Sequence, residues 1–195
     1  MIIHRRSSSP GRVPPTATPL EAVLVALDAA KRTGFAIYIA GRLWDFGEVN
    51  ARVPAERRRV FADAIGAAYL RAMPVAVVCE VPYGGYASAA LSLHATCMAW
   101  RETWLSTGLP AKHMVERTAG RWRREFGWHT MMRAQARRLE AVLADQVIAR
   151  DLGVRRLHKP EPGPDACAAI CIGQTIVRSG ELMQLLRCRT VTHAR

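Results

Sequence analysis

Two apolar runs of strand length in this chain each end on an acid. "VLVALD" closes on Asp28 and "PVAVVCE" closes on Glu80. Apolar runs this short, bounded by turn signals, read as buried strands. A lone buried carboxylate costs several kcal/mol unless it is paired, protonated or bound to a metal. The rest of the chain must therefore bring a compensating group to the ends of two interior strands.

The order of elements narrows where that group comes from. "AVLVALD", "TGFAIYIA" and "RLWDFGEV" read as three strands with short turns at 30–32 and 40–41, which makes an antiparallel meander. "VPAERRRVFADAIGAAYLRAM" reads as a helix, with Pro54 in its first turn and Phe61, Ile65, Ala68 and Ala72 as its apolar stripe. Pro74–Glu80 is the fourth strand, and "YGGY" is a loop. "ASAALSLHATCMAWRETWL" is helical, because Ala90, Leu93, Cys97, Trp100 and Trp104 fall on one face. "AKHMVE" is a short strand and "RTAGRWRREFGW" a basic, aromatic loop. Thr130 is the predicted cap of a helix running to about Leu152, with Met132, Ala136, Leu139, Leu143 and Val147 inward and Gly153 as its stop. A Pro/Gly-rich loop then enters a last helix whose inner face holds Ala166, Ala169, Ile170, Gly173 and Val177. This order predicts an α/β fold: a five-stranded mixed sheet, three strands in the meander plus parallel strands, with helices packed over it.

Asp165 begins that last helix. In a mixed sheet the first and fourth strands can lie side by side and a helix can pack across their ends. Asp28, Glu80 and Asp165 then form one cluster. Asp165 also suits a helix N-cap, a role compatible with the cluster. Clustered carboxylates repel one another unless a cation neutralises them, and hard oxygen ligands suit Mg²⁺, with Mn²⁺ as a substitute. Two such ions about 4 Å apart activate a water and stabilise the leaving oxygen of a phosphodiester.

Charge points to the substrate. The 195 residues carry 28 Lys+Arg against 16 Asp+Glu, a formal charge of +12, and the sequence pI is near 10.5. Such an excess predicts a polyanionic partner, nucleic acid or an anionic membrane. No apolar run approaches the roughly 20 residues that cross a bilayer, and the N-terminus lacks the apolar core of a secretory signal. Five cysteines without a CxxC pair indicate neither a disulfide framework nor a zinc site. A cytoplasmic or nucleoid-associated protein without a membrane partner is expected. Residues 1–20 form a basic Ser/Pro-rich arm of disordered composition, residues 21–180 one domain, and residues 181–195 a tail.

Three short motifs resemble those of the RuvC-type Holliday-junction resolvases, within the RNase H-like nuclease superfamily. "LVALDAAKRTGFAI" is similar to their first strand, with a metal-binding Asp followed by a Thr-Gly-aromatic stretch. "VAVVCEVPY" is similar to their fourth strand, ending in a metal-binding Glu. "GPDACAAICIG" is similar to the start of their last helix, with a metal-binding Asp. The likeness covers roughly residues 22–178. It implies an RNase H-like fold with helices on both faces of the sheet and a homodimer acting on branched DNA. It also implies an Mg²⁺-dependent endonuclease with two ions per site, leaving a 5′-phosphate and a 3′-hydroxyl. Asp28, Glu80 and Asp165 are the metal ligands so implied. The chain departs from the pattern at Asp28-Ala29-Ala30, where the family often has Asp-Pro-Gly. It departs again at Pro162, where the family has a fourth ligand; Glu161 is the substitute we expect, with His158 as a second choice.

The stretch 112–138 holds eight Lys+Arg and two acids, with Trp122, Phe126 and Trp128 interleaved. Basic groups beside aromatics suit phosphate contact with base stacking. Arg117, Arg121, Trp122, Arg123, Arg124, Arg133 and Arg137 are therefore the expected DNA contacts, with core anchoring the lesser reading for Trp122 and Phe126; Lys31 and Arg32, near Asp28 in sequence, are expected to contact phosphate as well. Three other readings stand beside the resolvase: a non-catalytic DNA-binding module of the same fold, a nuclease acting on other branched or single-stranded nucleic acid, and an actin-like ATPase. The ATPase needs Gly-rich phosphate loops and a second lobe, for which the chain is too short.

Overall fold

The computed structural model describes residues 22–82, 87–153, 160–179 and 186. The basic arm, the YGGY loop, His158, Cys188 and nearly all of the tail lie outside the described residues. Five strands form one sheet in the order β3-β2-β1-β4-β5. They are β1 (Val23–Asp28), β2 (Arg32–Ile39), β3 (Arg42–Asn50), β4 (Val75–Val81) and β5 (Met114–Thr118). β1, β2 and β3 pair antiparallel, and β4 is parallel to both β1 and β5. The mixed sheet predicted from element order is thus the observed one. Ala40 and Gly41, with φ of 52° and 76°, make the two-residue turn between β2 and β3. Two left-handed residues in succession match the twist of a tight hairpin.

Side-chain alternation along the strands sorts the chain into two cores. Val23, Val25 and Leu27 of β1 and Val75, Val77 and Cys79 of β4 face one side. There they meet Val60, Phe61, Ala64 and Ala68 of α1 (Pro54–Tyr69) and Cys97, Trp100 and Trp104 of α2 (Ala87–Leu105). The Phe61 ring lies edge-on to Trp100 and Trp104 at 5.3 and 5.5 Å. Leu24, Ala26, Ala76 and Val78 face the other side, against α4 (Arg133–Leu152) and α5 (Pro164–Ser179). Asp28 continues the even-numbered set of β1, and Glu80 that of β4. Strand periodicity alone therefore assigns both acids to the α5 face.

α5 is buried from Ala166 to Ile176. It lies against β1 and β2 because its neighbours leave room. A Cβ on Gly34 of β2 would overlap the Asp165 carbonyl, and one on Gly173 would overlap the Tyr38 ring. The Tyr38 hydroxyl donates to the Ile170 carbonyl at 2.7 Å. These contacts pin the helix along one strand.

Four local predictions differ from the structure. "RTAGRWRREFGW" contains a short helix, α3 (Ala119–Glu125), because Trp122 buries completely and draws a turn of chain onto the core. The cap of α4 is Met132, two residues after Thr130, and Met132 itself is exposed. The buried stripe of α4 is Ala136, Glu140, Ala144, Val147, Ile148 and Asp151, with Leu139 and Leu143 on its flank. α1 ends at Tyr69, before Ala72, which takes a left-handed φ of 51° in the turn to β4.

Gly34→Ala should lower the unfolding free energy by about 3 kcal/mol, since the added methyl meets fixed backbone. Gly66→Ala, on the exposed side of α1 with no atom within 4 Å of the new methyl, should raise it by about 1 kcal/mol. Urea denaturation of the two variants measures both, and equal effects would contradict the close approach at Gly34.

Candidate active site

The last registered pair of β1 and β4 is Leu27↔Cys79. One residue further, Asp28 and Glu80 reach the same sheet end on the same face. On β1's other side Asp28 pairs with Gly34, and the start of α5 rests over that glycine. Asp165 is thereby delivered beside Asp28. All three carboxylates line one cavity of about 360 Å³, together with Arg123, Arg133 and Arg137. A larger cavity of about 520 Å³ lies at the sheet edge between Lys31, Arg32, Glu48 and Glu56. We place the chemistry in the smaller one, because three carboxylates from three separate elements, β1, β4 and α5, all line it.

The cluster is electrostatically strained. Burial pushes the Asp28 pKa well above the ordinary carboxylate range, Glu80 and Asp165 add to the rise, and Arg137 opposes it. Burial also raises Glu80, against the Trp122 hydrogen bond and Arg123. Asp165 is raised by burial and by Glu48, with Arg137 again opposing. Each group resists carrying its charge where it stands, a condition that a bound cation would relieve.

Polar partners hold the acids in place. The Trp122 indole Nε1–H donates to Glu80 Oε2 at 2.6 Å. The Arg123 guanidinium lies 4.9 Å over the Trp122 ring and binds Glu140 Oε1 through Nε at 3.0 Å and Nη2 at 2.8 Å. Glu140, fully buried, also accepts from Arg137 Nη1 at 3.2 Å. Arg137 Nη1 donates to the Pro164 carbonyl at 2.8 Å and lies 3.8 Å from Asp28 Oδ2, while Nη2 is 3.5 Å from Asp165 Oδ1. Among the described residues, no three His, Cys, Asp or Glu side chains gather closely enough to hold a metal ion by themselves. The donor chemistry suits a hard cation, but the Arg137 guanidinium occupies the space between Asp28 and Asp165.

The expected site residues divide accordingly. Asp28, Glu80 and Asp165 are brought together. Glu161 is exposed and borders neighbouring cavities with Asp145 and with Arg32, outside the acidic one. Trp122 has no exposed surface and is a core anchor, which rules out base stacking. Arg117 is buried in β5, its Nη1 donating to the Glu116 carbonyl. Arg123 and Arg137 turn inward to acids. Lys31, Arg32, Arg121, Arg124 and Arg133 are exposed, with Arg32 Nε 2.6 Å from Glu48 Oε2. Glu140 is the functional-site residue the sequence reading missed. Its one signal is an acid at a spacing of four from both Ala136 and Ala144.

No protein-family model and no curated protein matches the chain. Solved structures do. A Thermus thermophilus RuvC structure superposes with a TM-score of 0.53 at 15% identity, over 81% of this chain and 96% of that one. The fold is RuvC-like. T. thermophilus RuvC in complex with a Holliday junction substrate aligns with a TM-score of 0.48 at 15% identity, over 82% of this chain and 96% of that one. The RuvC-like frame agrees with the RNase H-like sheet expected from the motifs, including the adjacency of β1 and β4.

The raised carboxylate pKa values set a pH dependence. A group whose folded pKa is raised holds its proton more tightly when folded, so stability falls as pH rises from the unfolded value through the folded one. In EDTA, Asp28→Asn should therefore be more stable than wild type at neutral pH. Its advantage should shrink as pH falls toward the ordinary carboxylate range. Thermal melts across pH test this; an advantage independent of pH would contradict the strained cluster.

Proposed function

We propose that this chain is a divalent-cation-dependent, structure-selective DNA endonuclease that resolves four-way junctions. The observation that carries the proposal is the convergence of Asp28, Glu80 and Asp165, from three separate elements of a RuvC-like frame, in one cavity. Asp28, Glu80 and Asp165 are the residues that would hold Mg²⁺ or Mn²⁺. The cation, when bound, supplies Lewis acidity toward the scissile phosphate and a water acidic enough to attack it.

The chain's own residues do the rest. Trp122 fixes the Glu80 carboxylate through its indole N–H, so that carboxylate faces the cavity in one orientation. The Arg123–Glu140 pair braces the cavity wall behind it. Exposed Arg133 lines the cavity, exposed Arg121 and Arg124 lie on α3, which carries Trp122, and the three supply phosphate contacts, consistent with the chain's +12 charge. The junction substrate rests on the resemblance of the three motifs. Symmetric resolution needs two active sites, so a homodimer goes with it. No described helix is long and apolar enough to cross a membrane.

Labelled four-way junction, flap, duplex and single-stranded DNA, each with Mg²⁺, Mn²⁺ or EDTA, test the proposal. Paired symmetric nicks confined to the junction and lost in EDTA are expected. Asp28→Asn should cut on the order of 10³-fold more slowly while still binding DNA, because it removes a charged metal ligand. Cutting of other branched substrates would replace the junction with a broader substrate class. Binding without cutting in either metal would favour the non-catalytic module.

A further inference from the structure

Arg137 is not placed as a surface phosphate contact. It projects from α4 into the acidic cavity, with one nitrogen toward Asp28 and the other toward Asp165. Its position is built, not incidental. Glu140, one turn along the same helix and fully buried, binds it at 3.2 Å and is itself gripped by Arg123. The Pro164 carbonyl accepts a fourth contact at 2.8 Å. A planar guanidinium with several fixed donors is well matched to bridging two carboxylates.

Charge counting gives the consequence. Asp28, Glu80, Asp165 and Glu140 carry four negative charges when ionised, and Arg123, Arg133 and Arg137 carry three positive ones at the same cavity. The one negative charge that remains is far less than two divalent ions would neutralise. The chain also has proline at position 162, where the resemblance calls for a fourth ligand, and Glu161 lies outside the cavity.

We propose that Arg137 is a resident cation standing in one of two expected ion positions, so that the site takes a single divalent ion on the Asp28–Glu80 side. This rests on reading the cavity as a cation-dependent phosphodiesterase centre. Glu140 is the positioning residue that keeps the guanidinium between Asp28 and Asp165.

Ion stoichiometry tests this without reference to cleavage. Mn²⁺ is titrated into the metal-free full-length chain and the free ion is read by electron paramagnetic resonance. One ion per chain is expected for wild type and for Arg137→Lys, and two for Arg137→Ala. Two ions in wild type would overturn the inference and leave the cation-dependent centre standing. One ion in Arg137→Ala, with the variant folded by circular dichroism, would also overturn it. No binding in any variant would overturn both. The wild-type number decides even where Arg137→Ala does not fold.

Discussion

The start of α5 rests on the backbone of β2 because Gly34 presents no side chain there. That approach sets the position of Asp165 relative to Asp28, since Gly34 is the residue registered opposite Asp28. A second approach on the same strand, Gly173 against the Tyr38 ring, fixes the direction of the helix. Two contacts on one strand determine a rod, and the Tyr38 hydroxyl bond to the Ile170 carbonyl prevents it from sliding. The even-numbered side chains of β1 and β4 then bring Asp28 and Glu80 under its N-terminus. The acidic cavity follows from sheet order, strand parity and a missing Cβ.

Gathering carboxylates in a low-dielectric cleft works against folding, and the surrounding residues offset this only in part. Trp122 donates to Glu80, Arg137 lies between Asp28 and Asp165, and Arg123 joins both systems through Glu140. The three acids still resist ionisation. Functional sites commonly carry such strain at the expense of stability, and an additional positive charge would relieve it here. The two hydrophobic cores on either side of the sheet supply the stability that tolerates it.

Much of this was legible in the sequence. Runs of apolar residues ending at Asp28 and Glu80 announce two interior strands, and short turns announce the meander. Periodicity also found the buried face of α2. What it could not resolve is the α4 stripe. Leu139 looks like a core position and Leu143 does pack at the core's margin, yet the fully buried face of the helix is alanines and Glu140. Small residues there allow the helices to approach, and a carboxylate is tolerated only because two guanidiniums from different elements reach it. Such long-range pairing has no local signature. The same limit explains Trp122 and Arg117. Aromatic and basic residues in a run look like a nucleic-acid surface, and only tertiary packing shows which of them are buried. Glu161 is near Asp165 along the chain, but it borders other cavities than the one Asp165 lines.

The most direct test of the central claim is the anomalous scattering of Mn²⁺ in crystals of the chain. The account predicts a peak in the acidic cavity, within about 2.5 Å of carboxylate oxygens of both Asp28 and Glu80. Manganese bound elsewhere, with that cavity empty at saturating metal, would contradict it.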